Sequence, residues 1–403
     1  MKRILLTLLL LNLALPVHSA DWPQWRGQGR DGSSSETGLL AKWPEGGPAL
    51  AWKISGLGAG FSSVAVAQGR IVTQGQRVGH EFVAAFDVAS GKKLWETATG
   101  ESYEEERGSG PRGTPTVDAD QVFAEAADGT LVSLDVKTGK IIWSVNFVKD
   151  FGGEIPGWGY SESPLVEGEN VIVTPGGTRA TVAALDRSTG KPVWMLKQGE
   201  GAGYSSPIVG QVMDVRIFVV FTSSSVMGIR TSNGDLLWRY DKVSNDTANI
   251  ATPIYRDPYI FVSSDYGTGC ALLKMANSGT KVSASEVYFN REMRNHYSTS
   301  VVAGGTVYGF SSDILTAMNL ATGKVAWRDR SVGKGSVTLA DGKLYLLSED
   351  GVVGLAEATP TGYKEISRFS IPAGQFNTWA PIAISNGRMY LREQDNLYSY
   401  FIK

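Results

Sequence analysis

Short apolar segments alternate with polar turns along most of the chain, and one arrangement of them recurs. In each copy an apolar segment runs into a turn of the general form Asp-x-x-Thr-Gly-Lys, and a second apolar segment follows and ends on tryptophan. The glycine stands where a tight reversal needs a positive φ, so each copy predicts two antiparallel strands joined by a hairpin turn. Five copies share this register, at residues 87–95, 135–143, 186–194, 230–238 and 319–327.

The tryptophans measure the length of the repeat. Successive steps of 43, 48, 51 and 44 residues separate Trp52, Trp95, Trp143, Trp194 and Trp238. The next step, to Trp327, is 89 residues, which corresponds to two units with a degenerate copy ending at residues 286–289. Another degenerate copy ends near Arg368 and Phe369. The chain is therefore expected to contain eight outer strands, at residues 52, 95, 143, 194, 238, 288, 327 and 369.

The start of each unit also has a signature. A serine, threonine or alanine opens the unit, and proline follows in five of the eight units, at positions 115, 164, 207, 253 and 381. Proline cannot donate a ladder hydrogen bond, so it belongs on an edge strand. The innermost strand of a propeller blade has such a free edge toward the central channel. Four short strands in ~44 residues are typical of a propeller blade.

The two ends of the repeat complement one another. The last unit ends at residues 396–402 without a fourth strand, whereas residues 49–54 form an orphan strand ahead of the first unit. We therefore predict an all-β, eight-bladed β-propeller of four-stranded antiparallel blades over residues 49–403. The ring is closed by the N-terminal strand, which completes the last blade.

Residues 1–20 have the layout of a signal peptide. Lys2 and Arg3 precede an apolar run from Ile4 to Leu15, and small residues follow for cleavage. The run is too short to span a membrane, and no cysteine stands at the cleavage site. We expect an exported, periplasmic protein without a transmembrane segment or lipid anchor. Residues 21–48 form an N-terminal extension, expected to pack across the outside or one end of the ring.

Composition and charge narrow the possible functions. The formal net charge is −2, so no basic surface indicates a nucleic-acid partner. A single cysteine, Cys270, excludes an intrachain disulfide and is expected to be a small buried hydrophobe. The chain contains no His-Glu-x-x-His zinc helix, P-loop, nucleophile elbow, dinucleotide fingerprint or haem-attachment motif. No motif in the sequence therefore specifies an enzyme.

The loops between units carry the candidate binding residues. In a propeller these loops cross from the outer strand of one blade to the innermost strand of the next, and they meet around the channel mouth. Here they are rich in aromatic, amide, carboxylate and arginine side chains, which is how ligand pockets are usually lined. Two interpretations stay open: the loops merely cap the ring, or they bind a ligand or partner. The candidate binding residues are Arg112, Trp158, Tyr160, Glu162, Tyr204, Asn249, Asn295, His296 and Trp379.

The tryptophans of the repeat are assigned a structural role. One large aromatic side chain per unit, wedged against the neighbouring blade, would stabilise the ring. This interpretation covers Trp52, Trp95, Trp143, Trp194, Trp238 and Trp327.

With these repeats the chain resembles the pyrroloquinoline-quinone-like (PQQ-like) eight-bladed propeller family over about residues 49–402. Within it the chain is similar to the compact exported BamB-like proteins. Their mature ends often carry a Trp-Pro-Gln-aromatic-Arg-Gly segment, present here at residues 22–27. The resemblance implies a non-enzymatic scaffold, as BamB binds the central barrel-insertase subunit. BamB is a lipoprotein, and this chain lacks the lipid-anchor cysteine.

The quinoprotein alcohol dehydrogenases of the same superfamily imply an alternative. It is a PQQ- and calcium-dependent dehydrogenase of the alcohol or polyvinyl-alcohol type. Glu162 would be the catalytic base and, with Asn249 and Asp265, a calcium ligand; Arg112 would pair with cofactor carboxylates, and Trp158 or Trp379 would stack on the ring. Those enzymes place an adjacent-cysteine disulfide against the cofactor, which one cysteine cannot form.

The sequence assigns neither cofactor nor metal by itself. The leading hypothesis is an exported binding or scaffold module, not an enzyme, which holds a periplasmic protein partner or small ligand at the mouth. Carbohydrate or cell-wall binding through the aromatic loops is a third possibility.

Overall fold

Eight sheets follow one another along the chain in the computed structural model, which describes residues 21–279 and 281–403. The signal peptide predicted for residues 1–20 lies outside the described residues. Two short strands come first, β1 (Ser33–Ser34) and β2 (Leu50–Ser55). Each later sheet is a blade whose strands are paired in chain order, from an innermost strand to an outermost one.

Blades 1 to 4 are each built from four consecutive strands. Blade 1 comprises β3 (Ala65–Ala67), β4 (Arg70–Arg77), β5 (His80–Asp87) and β6 (Lys93–Glu101). Blade 2 comprises β7 (Thr116–Asp118), β8 (Gln121–Glu125), β9 (Thr130–Asp135) and β10 (Ile141–Asn146), and a single-turn helix α1 (Phe147–Phe151) follows. Blade 3 comprises β11 (Leu165–Glu167), β12 (Asn170–Val173), β13 (Val182–Asp186) and β14 (Pro192–Leu196). Blade 4 comprises β15 (Ile208–Val212), β16 (Val215–Phe221), β17 (Val226–Arg230) and β18 (Leu236–Tyr240).

Blades 5 to 8 continue the order to the C-terminus. Blade 5 comprises β19 (Ile254–Arg256), β20 (Tyr259–Ser264), β21 (Gly269–Asn277) and β22 (Val282–Asn290). Blade 6 comprises β23 (Val301–Ala303), β24 (Thr306–Ser311), β25 (Ile314–Asn319) and β26 (Val325–Asp329). Blade 7 comprises β27 (Gly335–Ala340), β28 (Lys343–Ser348), β29 (Val352–Glu357) and β30 (Glu365–Ser370). Blade 8 comprises β31 (Ala383–Ser385), β32 (Arg388–Glu393) and β33 (Asn396–Phe401), with β2 as its outermost strand.

The ring is closed by its two chain ends. β2 pairs antiparallel with β33, from Leu50 opposite Tyr400 to Ser55 opposite Asn396. The predicted all-β architecture of eight four-stranded antiparallel blades is thus confirmed, including the N-terminal strand in the last blade. The degenerate units of the sequence correspond to blades 5 and 7.

The repeated turn is held by its own side chains. In blade 2, Asp135 Oδ1 accepts hydrogen bonds from the backbone N–H of Lys137 (3.1 Å) and Thr138 (2.8 Å) and from the Thr138 hydroxyl (2.7 Å). Gly139 follows with φ +71°, a conformation that glycine adopts at no steric cost. The turn therefore needs an aspartate at its start and a glycine at its end, for separate reasons.

The same glycine receives a tryptophan from the preceding blade. A Cβ at Gly139 would lie 2.5 Å from the ring of Trp95, and Trp95 Nε1 donates to the carbonyl of Val136 at 3.0 Å. In blade 5, whose outer strand has no tryptophan, the Tyr288 hydroxyl donates to the carbonyl of Leu320. Indole-to-carbonyl hydrogen bonds of this kind also join blades at Trp52, Trp143, Trp194 and Trp327.

Hydroxyl groups join the blades near the channel. The hydroxyl at the start of one innermost strand accepts a hydrogen bond from the backbone N–H at the equivalent position of the preceding blade. This contact accounts for the serine or threonine that precedes proline in the repeat. The pairs are Ser63 with Thr114 (3.2 Å), Thr114 with Ser163 (2.9 Å), Ser163 with Ser206 (2.9 Å) and Thr252 with Thr299 (2.9 Å).

Residues 22–34, which we call the channel segment, lie inside the ring. Trp22 exchanges backbone hydrogen bonds of 2.8 and 2.7 Å with Val66 on the innermost strand of blade 1. The carbonyl of Pro23 accepts from Val117 N in blade 2, and β1 pairs in parallel with β27 of blade 7. The expectation that this part of the extension packs outside the ring or at one end was wrong, because its backbone hydrogen bonds lie on the innermost strands.

Two buried arginines fix the channel segment to further blades. Arg26 donates to the carbonyls of Thr299 (3.1 Å) and Ser300 (2.6 Å) in blade 6. Arg30 donates to the carbonyls of Ser163 (2.5 Å) and Pro164 (3.0 Å) in blade 3. The segment therefore joins blades that are distant from one another in the sequence.

The rest of the extension packs between blades 7 and 8. Trp43 is buried, with its ring 5.4 Å from that of Phe369 and 5.9 Å from that of Tyr345. Leu40 N donates to the carbonyl of Ile402. The chain then continues into β2.

Cys270 is buried in the core of blade 5, and burial raises the pKa of its thiol to about 12. Across the part of the chain that the structure describes, no helix has the length and apolar character needed to cross a membrane.

Candidate functional site

A pocket opens at the channel mouth and encloses about 850 Å³ of unoccupied space, part of which is open solvent. The loops that cross between blades supply most of its lining, because every innermost strand starts on this face. The residues that line it are Trp25, Phe61, Arg107, Arg112, Trp158, Ser161, Ser163, Tyr204, Ser206, Ile250, Thr252, Tyr266, His296, Tyr297 and Trp379.

Five of the nine candidate residues line this pocket: Arg112, Trp158, Tyr204, His296 and Trp379. They come from crossing loops of different blades and are brought together only by closure of the ring.

Two aromatic groups form opposite walls. On one side the rings of Trp158 and Tyr204 lie 5.6 Å apart. On the other side Trp379 stacks on Tyr297 at 5.5 Å and contacts Phe61 at 4.8 Å. Trp379 is held in place because its indole Nε1 donates to the Glu349 carboxylate at 2.7 Å. The walls are therefore pre-organised apolar surfaces.

The two arginines of the lining differ in their environment. Arg112 is largely buried and donates to the carbonyls of Gly108 (2.9 Å) and Gly110 (3.2 Å), with Glu105 at 3.8 Å. Burial lowers the pKa of Arg112. Arg107 is exposed at the rim, and its guanidinium makes no hydrogen bond or ion pair with the described residues. Arg112 thus belongs to the framework, whereas Arg107 is available to a ligand.

His296 contributes a polar atom between the walls. Its Nε2 lies 3.1 Å from the hydroxyl of Tyr266, and its ring packs on the rings of Tyr266 and Tyr297. Burial and the nearby Lys334 ammonium lower the pKa of His296 below its ordinary value. The lowered pKa favours the neutral imidazole, which offers a hydrogen bond without a charge.

The other four candidates lie away from the pocket lining. Tyr160 is buried against Phe147 in the core of blades 2 and 3, and its hydroxyl donates to the carbonyl of Pro175.

Asn249 and Asn295 are buried in networks that join neighbouring loops. The Asn249 amide donates to the Ser223 carbonyl at 2.8 Å, and Asn295 Oδ1 accepts from the Ser300 hydroxyl at 2.9 Å.

Glu162, the fourth, belongs to a buried group of carboxylates with Glu81 and Glu125. Glu162 Oε1 accepts from Thr174 N at 3.0 Å, and Oε2 has no partner among the described residues. Burial raises the pKa of all three carboxyls, and the charge of Glu162 raises that of Glu125 further. The neighbouring cation is Arg30 of the channel segment, whose pKa burial lowers to about 9.

Several lining residues were not among the candidates. Tyr297 follows His296 directly, and Arg107 lies in the same loop as Arg112, so their loops did indicate them. Tyr266 comes from the turn between β20 and β21 rather than from a crossing loop. Trp25 reaches the pocket from inside the channel, where its Nε1 donates to the Thr252 hydroxyl at 2.9 Å. No local sequence signal could have placed Trp25 there.

The residues do not fit the calcium-supported quinone cofactor of the alternative hypothesis. The proposed calcium ligands Glu162, Asn249 and Asp265 are engaged in separate networks; Asp265 Oδ1 accepts from the Ser312 hydroxyl in blade 6. None of the three lines the pocket. Within residues 21–279 and 281–403, no cluster of three His, Cys, Asp or Glu side chains could hold a metal ion. The aromatic walls would accept a flat ring, but the described residues around the pocket supply no ligand set for the metal that supports such a cofactor.

Comparison with known proteins identifies relatives of two kinds. The family model described as outer membrane protein assembly factor BamB matches residues 35–148 and 79–329. The BamB of Kangiella koreensis is 26% identical over 210 residues, which cover 51% of this chain and 49% of that protein. The quinohemoprotein alcohol dehydrogenase ADH IIB of Pseudomonas putida is 35% identical over 127 residues, which cover 28% of this chain and 17% of the enzyme.

Solved structures give the same fold. The crystal structure of BamB from Moraxella catarrhalis superposes with a TM-score of 0.64 at 17% identity, covering 88% of this chain and all of that chain. At this identity the likeness concerns the fold alone. The matched region spans less than two thirds of both sequence relatives, about half of the Kangiella protein and a sixth of the dehydrogenase.

Proposed function

This chain belongs to the family of the outer membrane protein assembly factor BamB, and we propose that it is an exported, non-enzymatic scaffold that binds a protein partner at the pocket of the channel mouth. In this proposal residues 1–20 are a signal peptide that directs the protein to the periplasm, residues 21–48 are an N-terminal extension and residues 49–403 form the propeller domain. The partner is a component of outer-membrane protein assembly.

The observation that carries the proposal is the pocket. It combines rigid aromatic walls with a rim arginine, Arg107, whose guanidinium has no partner among the described residues. Tryptophan, tyrosine and arginine are the residues that dominate protein–protein binding sites. The carboxylates with raised pKa that would suggest acid–base chemistry lie outside the lining, in the interior of the ring. Binding is therefore better supported than catalysis.

Site-specific photocrosslinking in the native host tests this function. A photoreactive phenylalanine analogue replaces Trp158 at the mouth or, as the control, Lys191, which is exposed on a hairpin turn at the opposite face. We expect a discrete protein crosslink from position 158 that is absent from position 191 and is weakened by Arg107→Glu. Equal crosslinking from both faces, or a product unaffected by Arg107→Glu, would contradict binding at the mouth.

A dehydrogenase function is not favoured, since none of Glu162, Asn249 and Asp265 is among the described residues that line the pocket. A calorimetric titration of the mature protein with PQQ plus calcium keeps this alternative testable. We expect no saturable heat. Binding at micromolar strength or tighter would reverse the order of the two hypotheses and require a screen of alcohol substrates.

A further inference from the structure

The pocket is selective in its chemistry. Eight of its lining side chains are aromatic, counting His296, and none is an aspartate or glutamate. Its two charged side chains, Arg107 and Arg112, are both positive. A ligand that complements such a lining presents an apolar ring to the walls and a negative charge to the rim.

The depth of the pocket is limited from below. Trp25 is part of its lining and is fixed by the hydrogen bond from its Nε1 to Thr252. The flanking Arg26 is bound to the carbonyls of Thr299 and Ser300, so the channel segment cannot recede without breaking buried hydrogen bonds. The pocket is therefore a blind cup. It has room for a side chain but does not admit an extended peptide threaded through the ring.

The positive charge of the rim lies on an uncommitted group. Arg112 is already bonded to two carbonyls, which leaves the exposed guanidinium of Arg107 to pair with an incoming carboxylate. Arginine recognises a carboxylate through two parallel N–H donors, which gives the contact a defined geometry. The apolar cup and the rim cation thus lie where one side chain and its acidic neighbour can be held together.

We propose that the pocket holds one aromatic side chain of a protein partner, that an acidic residue next to it in the partner pairs with Arg107, and that Trp25 of the channel segment sets the size of the ring admitted. This inference rests on the proposed function and specifies the partner surface that the mouth recognises. Trp25 is thereby the residue through which the channel segment contributes to the binding site.

The test uses fluorescein-labelled peptides and fluorescence anisotropy. The probe is Gly-Ser-Asp-Phe-Asp-Ser-Gly with blocked ends. One comparison peptide carries alanine in place of phenylalanine, another carries lysine in place of both aspartates, and a third carries tryptophan in place of phenylalanine. We expect saturable binding of the probe to the mature protein and a loss of about tenfold or more with the alanine peptide.

A charge exchange tests the rim. Arg107→Glu is expected to lower the affinity for the aspartate peptide about tenfold and to raise the affinity for the lysine peptide. General damage to the protein would not produce this reversal. Lys191→Glu makes the same change in net charge at the opposite face and is expected to leave both affinities unchanged. If wild type and Arg107→Glu bind the aspartate peptide with equal affinity, Arg107 does not pair with the acidic residue of the partner.

Substitution of Trp25, which lies at the bottom of the pocket, tests the role of the channel segment. Trp25→Ala is expected to shift preference from the phenylalanine peptide to the tryptophan peptide by about threefold or more, because a larger ring fills the added depth. Trp25→Phe keeps an apolar side chain at the bottom of the pocket. It is used in the same comparison of the two peptides if the alanine variant does not fold. An unchanged preference in the variant that folds would contradict the role of Trp25.

The two levels of proposal fail in different ways. If no peptide binds while crosslinking from position 158 still yields a partner, the anchor side chain is wrong and the scaffold function stands. If both fail, the function of the mouth is wrong as well.

Discussion

Glu81 shows how an individual residue is shaped by the interior of the ring. Its Oε2 accepts a hydrogen bond from Ala127 N at 2.9 Å, and its Oε1 has no partner among the described residues. Burial raises the pKa of this carboxyl to about 8. The group is therefore protonated in the folded protein at pH 7, although it is ionised in the unfolded chain.

This shift predicts a pH dependence of stability. Between pH 4.5 and 8 the folded protein holds a proton that the unfolded chain has released, so the free energy of unfolding falls as pH rises, by up to about 1.4 kcal/mol per pH unit. The glutamine of Glu81→Gln is neutral at every pH, so the substitution is expected to make this decline less steep, and the variant gains stability relative to wild type from pH 5 to pH 8. Urea unfolding of both proteins at intervals of one pH unit measures the free energy of unfolding and its slope against pH.

The exposed Glu45→Gln is the control and is expected to leave the slope unchanged. Wild type and Glu81→Gln with parallel pH profiles would show that Glu81 does not hold its proton in the folded state. Glu125 and Glu162 contribute in the same direction, so a reduced slope rather than a flat profile is expected.

At the scale of elements, a stabilising contact recurs around the ring where the outer strand of one blade meets the turn of the next blade. We call this contact a joint. In blade 2 the indole of Trp143 packs on Gly190 of blade 3 and donates from Nε1 to the Arg187 carbonyl at 2.8 Å. In blade 4 Trp238 is similarly buried, but its Nε1 has no hydrogen-bond partner among the described residues. The Trp238 indole also packs on Gly228 of its own blade, so the two joints differ in the backbone that the indole covers as well as by one hydrogen bond.

The two joints are compared by making the same substitution in each. Trp143→Phe and Trp238→Phe remove the same side-chain volume, but only the former removes a hydrogen bond; the Arg187 carbonyl keeps the Gln121 Nε2 donor at 3.0 Å. We expect Trp143→Phe to lower the free energy of unfolding by about 1 kcal/mol more than Trp238→Phe. Equilibrium urea unfolding compares them. Equal losses would mean that the indole N–H adds nothing to the packing of the joint.

At the scale of the whole molecule, the channel segment links parts of the ring that the repeat itself does not join. Its contacts reach the innermost strands or their starts in blades 1, 2, 3, 5, 6, 7 and 8. Adjacent blades already contact one another through tryptophans and hydroxyls, whereas this segment spans the channel. Its contacts are therefore expected to stabilise the whole ring rather than one pair of blades.

Loss of the channel segment is expected to lower the stability of the entire ring. Deletion of residues 22–34 should reduce the thermal midpoint by roughly 5–10 °C while the β-sheet circular dichroism is retained. A variant in which the same positions are filled by glycine and serine retains the chain length and separates side-chain contacts from backbone pairing. An unchanged midpoint in both variants would contradict a stabilising role for the segment.

The sequence determined the architecture without help from the structure. Blade number and strand order follow from the repeat, because the blades are built from hairpins between residues close in the chain. Closure by the strand at Trp52 joins the two chain ends, and it follows from the missing fourth strand of the last unit. Such pairing is local, and its alternation of apolar and turn residues is visible as a period. Eight copies of one period leave little freedom in how the ring is assembled.

The tertiary structure decided which side chains face the pocket. Tyr160 and Glu162 lie in the same crossing loop as Trp158, yet Tyr160 is buried against Phe147 while Trp158 lines the mouth. The direction of a loop side chain depends on the neighbouring blade, which sequence spacing does not specify. Trp25 is the extreme case, because its partner Thr252 is 227 residues away and no period relates them. Local pairing thus leaves a trace in the sequence, whereas contacts across the channel are set only when the ring closes around the segment.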